Sequence, residues 1–386
     1  MSEARITNLS NESNTGGPTI SGITTFSGTD YFVPPVGTTA ERPENPEKGS
    51  LRFNTESKSL EYYRGDGIGW VELEASYTND GGPPLNETAG FTGFIAGGND
   101  PGPWTALNHI DYINITTMGN SSDWADLETA KTGKQTMANK TRIIWPGGYT
   151  GGGYQIHISY NQVQTKGNGS DFGDLIQVKT GASALANQTR GLVGQSQDQN
   201  AVPYYTNIIE YVTIAHTGNT VDFGDGQERG TTYGCASSTR GLWGDVNSSP
   251  AKITYTTIAT QGDTKDFGTT GQRPFAGASN AVRALWAGDY FGNTVTYSTI
   301  ATLGDAIDFG DMDVSRDSCG SASSPTRAVI IGGRSVPSQL VIPTMTSLEI
   351  MTLGNGVDFG DIGYMTNDTD FSYSNFTGSN GHGGTY

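Results

Sequence analysis

The chain has 386 residues, 55 of them glycine, and carries a formal net charge of −17 with only 16% charged residues. An acidic surface repels phosphate backbones, so nucleic acid is not an expected partner, and no apolar run approaches the roughly 18 residues that a membrane span needs. Two cysteines, Cys235 and Cys319, give neither a disulfide framework nor metal-ligand spacing, and residues 1–10 lack the basic-then-apolar pattern of a secretory signal, so folding in a cytoplasm is expected.

Residues 1–48 read as an extended arm. They are punctuated by the turn signals Gly16-Gly17-Pro18, Val33-Pro34-Pro35-Val36-Gly37 and Arg42-Pro43-Glu44-Asn45-Pro46. Residues 49–75 predict a three-stranded β-meander: Gly49 to Thr55, Ser59 to Arg64, and Trp70 to Leu73 after a glycine turn at 65–69. A sheet of that size is marginal alone. It is expected to pack on a partner, on the rest of the chain or on copies of itself. Residues 76–90, rich in Gly, Pro, Asn and Asp, read as a linker.

A repeat fills residues 91–386. Asp-Phe-Gly-Asp occurs at 171–174, 222–225, 308–311 and 358–361, with variants at 123–126 and 266–269. The first aspartates of the six copies are Asp123, Asp171, Asp222, Asp266, Asp308 and Asp358, spaced by 48, 51, 44, 42 and 50 residues. A glycine stands four residues before each of them, and a β-branched residue four before that. Three residues earlier again comes Tyr112, Tyr160, Tyr211, Tyr255 or Tyr297, with Ser347 in the sixth copy. After five of the motifs, at 14 to 16 residues, an arginine opens a short apolar run: Arg142, Arg190, Arg240, Arg283 and Arg327. Phe94-Ile95-Ala96-Gly97-Gly98 begins the series without an arginine, and Gly381-His382-Gly383-Gly384 looks like a degenerate last copy.

The length from motif to arginine is nearly constant, whereas from arginine to the next Tyr position it is 18, 21, 15, 14 and 20 residues. Variable lengths in a repeat map to loops on one face, often the binding face. That face is expected from residues 99–108, 147–156, 195–207, 245–251, 288–293 and 333–344. Its aromatic residues, Trp104, Tyr149, Tyr154, Tyr204, Tyr205, Tyr290 and Phe291, are the candidate contacts for a sugar or a protein surface; their bland alternative is to cover the ends of the sheets.

Units of 40 to 50 residues with several strand signals and no 3.6-residue periodicity match propeller blades rather than helical solenoids. The expected fold is therefore all-β: a six-bladed β-propeller over residues 91–386, closed by pairing residues 371–386 with 89–98. The apolar run ending in Gly-Gly, the variable loop, the Tyr, the aromatic a dozen residues on and the Arg resemble the kelch repeat, with Phe where kelch repeats have Trp and the second Gly missing from several units. The longer pattern Tyr-x-Thr-Ile-Ala-Thr-x-Gly-x-x-x-Asp-Phe-Gly-Asp resembles repeats in structural proteins of tailed phages of marine cyanobacteria. Arg42-Pro43-x-x-Pro46, Gly49-x-x-Arg52-Phe53-Asn54-Thr55 and Leu60-Glu61-Tyr62-Tyr63 together resemble a module frequent in phage tail-fibre and other virion proteins.

The resemblance implies a virion structural protein, anchored to other virion proteins through residues 1–80. Its propeller would serve adhesion to a host-surface glycan or protein, or decorate the capsid or tail. It implies a homo-oligomer located in the virion and made in the host cytoplasm. A glycan-binding or glycan-cleaving propeller is the alternative.

No cofactor, metal or catalytic residue is expected. Asp-Phe-Gly of kinases requires a lysine strand and a His-Arg-Asp loop, which are absent, and six copies do not make one active site. The repeated motif reads as a turn whose Asp caps backbone N–H groups and whose Gly takes positive φ, with calcium binding by the carboxylates as the sharper alternative. The repeated arginines are expected to form a structural ladder with the repeated aspartates. His109, His157, His216 and His382 have no metal spacing, and paired carboxylates across a central funnel remain an open route to glycosidase chemistry.

Overall fold

The computed structural model describes residues 34–57, 59–65, 67–73, 90–98, 105–133, 135–179, 181–194, 196–197, 205–227, 232–248, 250–289, 292–338, 340–363 and 376–379. The chain divides into two units, residues 1–79 and 80–386. Both are all-β; the only described helical element is one 3-10 turn, Thr39–Glu41.

The first unit is a sheet of β1 (Val36–Gly37), β2 (Leu51–Asn54), β3 (Ser59–Gly65) and β4 (Gly69–Leu73), in that order. Three of these are the expected meander. The extra strand, β1, pairs in parallel with β2. Proline cannot donate but still accepts, and Phe53 N–H donates to the Pro35 carbonyl at 2.8 Å. On one face of the sheet Glu61 is fully buried and accepts from Arg52 at 3.0 Å, from Arg42 at 2.5 Å and from Asn54 at 3.3 Å. The Arg42 hydrogen bond comes first among the causes that hold the Glu61 carboxyl below the usual carboxylate range, followed by that of Asn54 and the two guanidinium charges. Arg52 also donates to the Thr38 carbonyl at 3.0 Å. Residues spread over three short motifs thus meet at one carboxylate. Replacing one partner would leave a buried charge uncompensated, a change that typically costs about 3–5 kcal/mol.

The second unit contains six four-stranded antiparallel sheets among the described residues. Sheet two is Met137–Ala138, Arg142–Pro146, His157–Gln162 and Ser170–Asp174. Sheet three is Ser183–Ala186, Arg190–Gly194, Ile208–Thr213 and Val221–Asp225. Sheet four is Thr232–Ala236, Arg240–Asp245, Lys252–Thr257 and Lys265–Thr269. Sheet five is Ala276–Ser279, Arg283–Ala287, Thr294–Thr299 and Ile307–Asp311. Sheet six is Gly320–Ser323, Arg327–Ile331, Thr344–Glu349 and Val357–Asp361. Sheet one takes its first strand, Phe376–Ser379, from the far end of the chain and pairs it with Thr92–Ala96, followed by His109–Asn114 and Ser122–Asp126. The pairing falls inside the segments expected to meet, but on Phe376–Ser379; the Gly381–Gly384 stretch lies outside the described residues.

The second strands are apolar on both sides because they are covered on both sides. Beyond the half-buried arginine, Leu242, Trp243 and their counterparts are fully buried. Each apolar cluster joins neighbouring sheets: Leu185, Leu192 and Phe223 of sheet three with Trp243 and Ile258 of sheet four, for example, and Ile95 and Ile113 of sheet one with Val329 and Phe359 of sheet six. Buried Trp145, Trp243 and Trp286 each find a partner for the indole N–H on the adjacent third strand, respectively Asn161, Thr256 and Ser298.

The Asp-Phe-Gly-Asp motif is not a turn. It is the fourth strand of each sheet, and the register slips by one residue opposite it in all six sheets. The extra residue is the buried aromatic, Trp124 or Phe172, Phe223, Phe267, Phe309 and Phe359. Such a bulge bends the strand and re-aims its side chains. The glycine after it then faces the neighbouring sheet: Gly224 has φ +142°, and a methyl group there would lie 2.6 Å from the carbonyl carbon of Gly262. The two glycines of the repeat therefore meet one another across the boundary between sheets. Gly262 also has φ +147°, but a methyl group there would meet nothing within 4 Å.

These two positions separate strain from contact. Gly262→Ala should cost backbone strain alone, about 1–3 kcal/mol. Gly224→Ala should cost clearly more, because the added methyl must also displace a neighbouring backbone. Denaturant unfolding of the two variants measures the difference; equal costs would show that the sheets do not approach this closely.

Candidate functional site

Antiparallel order puts the turns between first and second and between third and fourth strands at one end of each sheet. The variable links between second and third strands lie at the other end, together with the links to the next sheet. The repeated residues Tyr, Arg and Asp concentrate at the first end. Arg142, Arg190, Arg240 and Arg283 lie 4.5–4.8 Å over the rings of Tyr160, Tyr211, Tyr255 and Tyr297 in their own sheets. Each then donates to a carbonyl of the next sheet, respectively Ile214, Ile258, Ile300 and Ile350, at 2.7–3.1 Å. Arg327 of sheet six donates to Ile115 of sheet one at 3.1 Å. The arginines do form a ladder, but on main-chain carbonyls rather than on Asp123, Asp171, Asp222, Asp266, Asp308 and Asp358, all of which are exposed. A planar guanidinium can stack and donate at once, and this is what the spacing to Tyr serves. Tyr112 has no arginine in its sheet; Lys166 of sheet two lies 5.0 Å over it instead.

A second set of residues was legible but overlooked. Every repeat glycine four before the motif is followed by Asn or Asp: Asn120, Asn168, Asn219, Asp263, Asp305 and Asn355. Their side-chain oxygens accept the N–H of the last motif residue in the preceding sheet, at 2.9–3.4 Å. The sixth of these bonds joins Asn120 of sheet one to Asp361 of sheet six.

The other end is held by buried cations. Lys131, Lys179 and Arg316 each lie five residues after a motif, in the link to the next sheet. Lys131 donates to the Trp145 carbonyl at 2.8 Å, Lys179 to the Ile208 carbonyl at 2.9 Å, and Arg316 to the carbonyls of Thr344 at 2.7 Å and Gly332 at 3.2 Å. Lys179 also lies 3.3 Å from the buried carboxylate of Glu210. Burial pushes the Lys131 ammonium down to about 7, with Glu128 opposing, and lowers Arg316. Burial likewise raises the Asp111 carboxyl, against a hydrogen bond from Ser121. The equal offset from the motif is the signal that marks all three cations.

Three of the seven candidate aromatics are described. Tyr149 and Tyr154 face each other across a short hairpin, Tyr149–Thr150 with Gly153–Tyr154, as an edge-to-face pair with centroids 5.8 Å apart. Tyr149 is exposed. Tyr205 is half-buried, in a two-stranded pairing with Ser196–Gln197. Trp104, Tyr204, Tyr290 and Phe291 lie outside the described residues. Thr150 and Gln155 of the same hairpin line a cleft of about 270 Å³ with Glu128, Thr129, Lys131 and His157. Glu128 and His157 pair at 2.8 Å, and His157 lies 3.6 Å from Asp171. Side chains alternate along a strand, so the tyrosines occupy one side of the hairpin and Thr150 the other. The cleft offers carboxylate, imidazole, amide and hydroxyl groups beside an aromatic pair.

Where the first strands of the sheets meet, the side chains are small and satisfied. Ser279 donates to Ala236 at 2.8 Å, Ser321 to Gly277 at 2.6 Å and Ser379 to Ser323 at 2.6 Å. Gln135 reaches the backbone of Gly234, donating to its carbonyl and accepting from its N–H, both at 2.8 Å. None of these groups is a carboxylate, and among the described residues no three His, Cys, Asp or Glu are placed to hold a metal. No family model matches the sequence, and no curated protein matches it.

The Lys131 ammonium yields a pH test. Its folded pKa is below its unfolded one, so between about 7 and the ordinary lysine value the unfolded chain binds the extra proton. Stability must then rise with pH, by about 1.4 kcal/mol per unit. Relative to Lys131→Met, the natural chain should gain stability from pH 7 to pH 10 and show no further change below pH 6. A flat difference across that range would mean that Lys131 is hydrated.

Proposed function

We propose that this chain is a structural protein of a tailed-phage virion. Residues 91–386 form a six-bladed, kelch-like β-propeller, and residues 1–80 fix it to the particle. The end that carries the variable links contacts the host surface. The observation that carries the virion reading is the Glu61 network. The Arg-Pro-x-x-Pro, Gly-x-x-Arg-Phe-Asn-Thr and Leu-Glu-Tyr-Tyr segments resemble a virion module, and their Arg42, Arg52, Asn54 and Glu61 are the residues that converge in the fold. The propeller reading is supported by the succession of sheet-to-sheet contacts, which runs from sheet one to sheet six and back to sheet one through Gly119 N–H to Phe359 at 2.8 Å and Ser121 N–H to Asp361 at 2.9 Å.

Adhesion rather than catalysis is supported by the distribution of repeated geometry along the units. One end repeats the Arg–Tyr contact in four sheets and the Asx contact at six boundaries. The other end differs in every sheet and presents Tyr149, Tyr154 and the polar cleft. Carboxylates paired across the centre would favour a glycosidase; the described central contacts are made by Ser, Thr and Gln side chains.

Particles carrying Tyr149→Ala together with Tyr154→Ala should incorporate the protein at the normal level but adsorb to host cells at least tenfold less. Normal adsorption would remove these tyrosines from the contact surface. Deleting residues 1–80 should instead abolish incorporation. A truncated chain that still joins the particle would show that the anchor lies elsewhere.

A further inference from the structure

At the end of the second unit that carries the turns between third and fourth strands, the repeat has two forms. The residue before the hairpin glycine is Lys166, Thr217 or Gln261 in sheets two, three and four, but Leu303, Leu353 or Met118 in sheets five, six and one. Two of the polar copies serve the boundary with the preceding sheet. Gln261 donates to the Asp222 carbonyl of sheet three at 2.7 Å, and Lys166 lies 5.0 Å over the Tyr112 ring of sheet one. An aliphatic side chain can do neither. In sheets five and six the fourth strand also opens on an apolar residue, Ile307 or Val357, and Met351 adds another at the turn of sheet six. All six of these apolar residues are between 51 and 59% exposed.

Backbone bonds place these side chains next to one another. Gly354 N–H donates to the Phe309 carbonyl at 3.0 Å and Gly356 N–H to the Asp311 carbonyl at 2.7 Å. The hairpin of sheet six therefore runs parallel to the fourth strand of sheet five, with Leu353 beside the start of that strand at Ile307. Gly119 N–H to Phe359 at 2.8 Å sets Met118 beside Val357 in the same way. Paired strands lie about 4.8 Å apart. Leu303, Ile307, Leu353, Val357 and Met118 thus form one strip over sheets five, six and one, with Met351 at its margin. A single exposed apolar residue, such as Val221 of sheet three, is ordinary; a contiguous strip with a polar rim marks an interaction surface.

We propose that this strip docks a protein segment that presents apolar side chains between lysines or arginines. The rim decides the occupant. Asp123, Asp305, Asp308, Glu349 and Asp358 are exposed at the same end of these three sheets, whereas the exposed lysines described at this end, Lys140, Lys166 and Lys265, belong to sheets two and four. A second copy of the chain would bring the same carboxylates against themselves, and like charges facing each other across an interface are penalised. The formal net charge of −17 opposes that pairing further. A basic partner is instead drawn in by those carboxylates and covers the strip with its own apolar groups. The strip lies at the end opposite the variable links, so its occupation leaves the tyrosine hairpin open.

The probe is a synthetic amphipathic helix with leucines on one face and lysines on the other. It is titrated with the full-length chain by fluorescence anisotropy, beside one counterpart with glutamate for lysine and one with serine for leucine. The leucine–lysine peptide should bind, and both counterparts should bind at least tenfold more weakly. Leu303→Gln combined with Leu353→Gln should weaken binding at least tenfold; the hairpin tolerates glutamine, which stands at that position as Gln261 in sheet four. Asp308→Asn combined with Asp358→Asn should weaken binding and flatten its dependence on salt, while Val221→Gln should leave it unchanged. No binding of the leucine–lysine peptide, or equal affinity for the natural chain and the double glutamine variant, would overturn the proposal. So would a dimer in sedimentation equilibrium that Leu353→Gln dissolves, which would assign the strip to a second copy.

Discussion

The structure of the larger unit depends on backbone meeting backbone without an intervening side chain. A fourth strand has an outer edge that would otherwise present unpaired main-chain groups. Here the motif carbonyls of that strand accept N–H groups from the hairpin of the next sheet: Gly262 donates to Phe223 at 2.8 Å and Thr264 to Asp225 at 2.8 Å, and the same two bonds recur from Gly304 and Ala306 to sheet four. Such an approach admits no Cβ on the motif glycine, while the hairpin glycine opposite it has room for one; both take φ values that other residues avoid. The bulge at the aromatic residue is the second requirement. It buries the ring between sheets and turns the following glycine outward, so one irregularity provides both packing and contact.

Other repeated contacts follow from that approach. Once the hairpin lies against the neighbouring strand, the Asn or Asp after its glycine is within reach of one more N–H. The arginine at the start of the second strand reaches the Ile carbonyl of the following sheet, with the tyrosine ring supporting its guanidinium. These contacts fix chain lengths at one end. At the other end, three of the boundaries carry buried Lys131, Lys179 and Arg316, which reach the next sheet from within the motif-to-arginine segment of nearly constant length. A buried cation satisfied by carbonyl oxygens is a more costly device than a backbone bond. The links of variable length join the second and third strands within a sheet, not one sheet to the next.

Much of this was legible in the residues, and the exceptions have physical causes. Six in-register motifs at 42 to 51 residue intervals reveal the repeat and its strands, because a periodicity in sequence survives any error about a single element. Composition suggests a charge for the arginine's charge, whereas a guanidinium at a sheet boundary finds carbonyl oxygens nearer than carboxylates. The motif itself reads as a turn because Asp and Gly favour turns; only pairing against the third strand reveals it as a bulged strand. β1 is two residues long and lies behind two prolines, so no periodicity could announce it. The hairpin tyrosines were identifiable from their place in a variable link. The cleft beside them was not, because Glu128, Lys131 and His157 come from different sheets and become neighbours only when two sheets are joined.

The irregular copies show where the succession of contacts is weakest, and it is not where the two chain ends meet. Sheet six has Ser347 in place of tyrosine, yet its arginine is retained: Arg327 pairs with Glu349 at 2.8 Å and still donates to Ile115 of sheet one. Gly360 meets Gly119 there, as at the regular boundaries. Sheet one and sheet two are joined differently. Ala125 replaces the motif glycine, Thr92 stands where the arginine would, and the Asn168 bond is the longest of its set at 3.4 Å. What remains between the motif and the next hairpin is one backbone bond, Gly169 to Asp126 at 2.7 Å, with Asn161 donating to the Asp126 carbonyl at 3.3 Å; Lys166 lies over Tyr112 at one end, and buried Lys131, the Glu128–His157 pair and the two Thr132–Tyr149 backbone bonds lie at the other. The same boundary carries the polar cleft and the tyrosine hairpin. The boundary that lost its glycine and its arginine is thus the one beside which the polar cleft and the tyrosine hairpin lie, and side-chain contacts stand there beside the single backbone bond left between motif and hairpin.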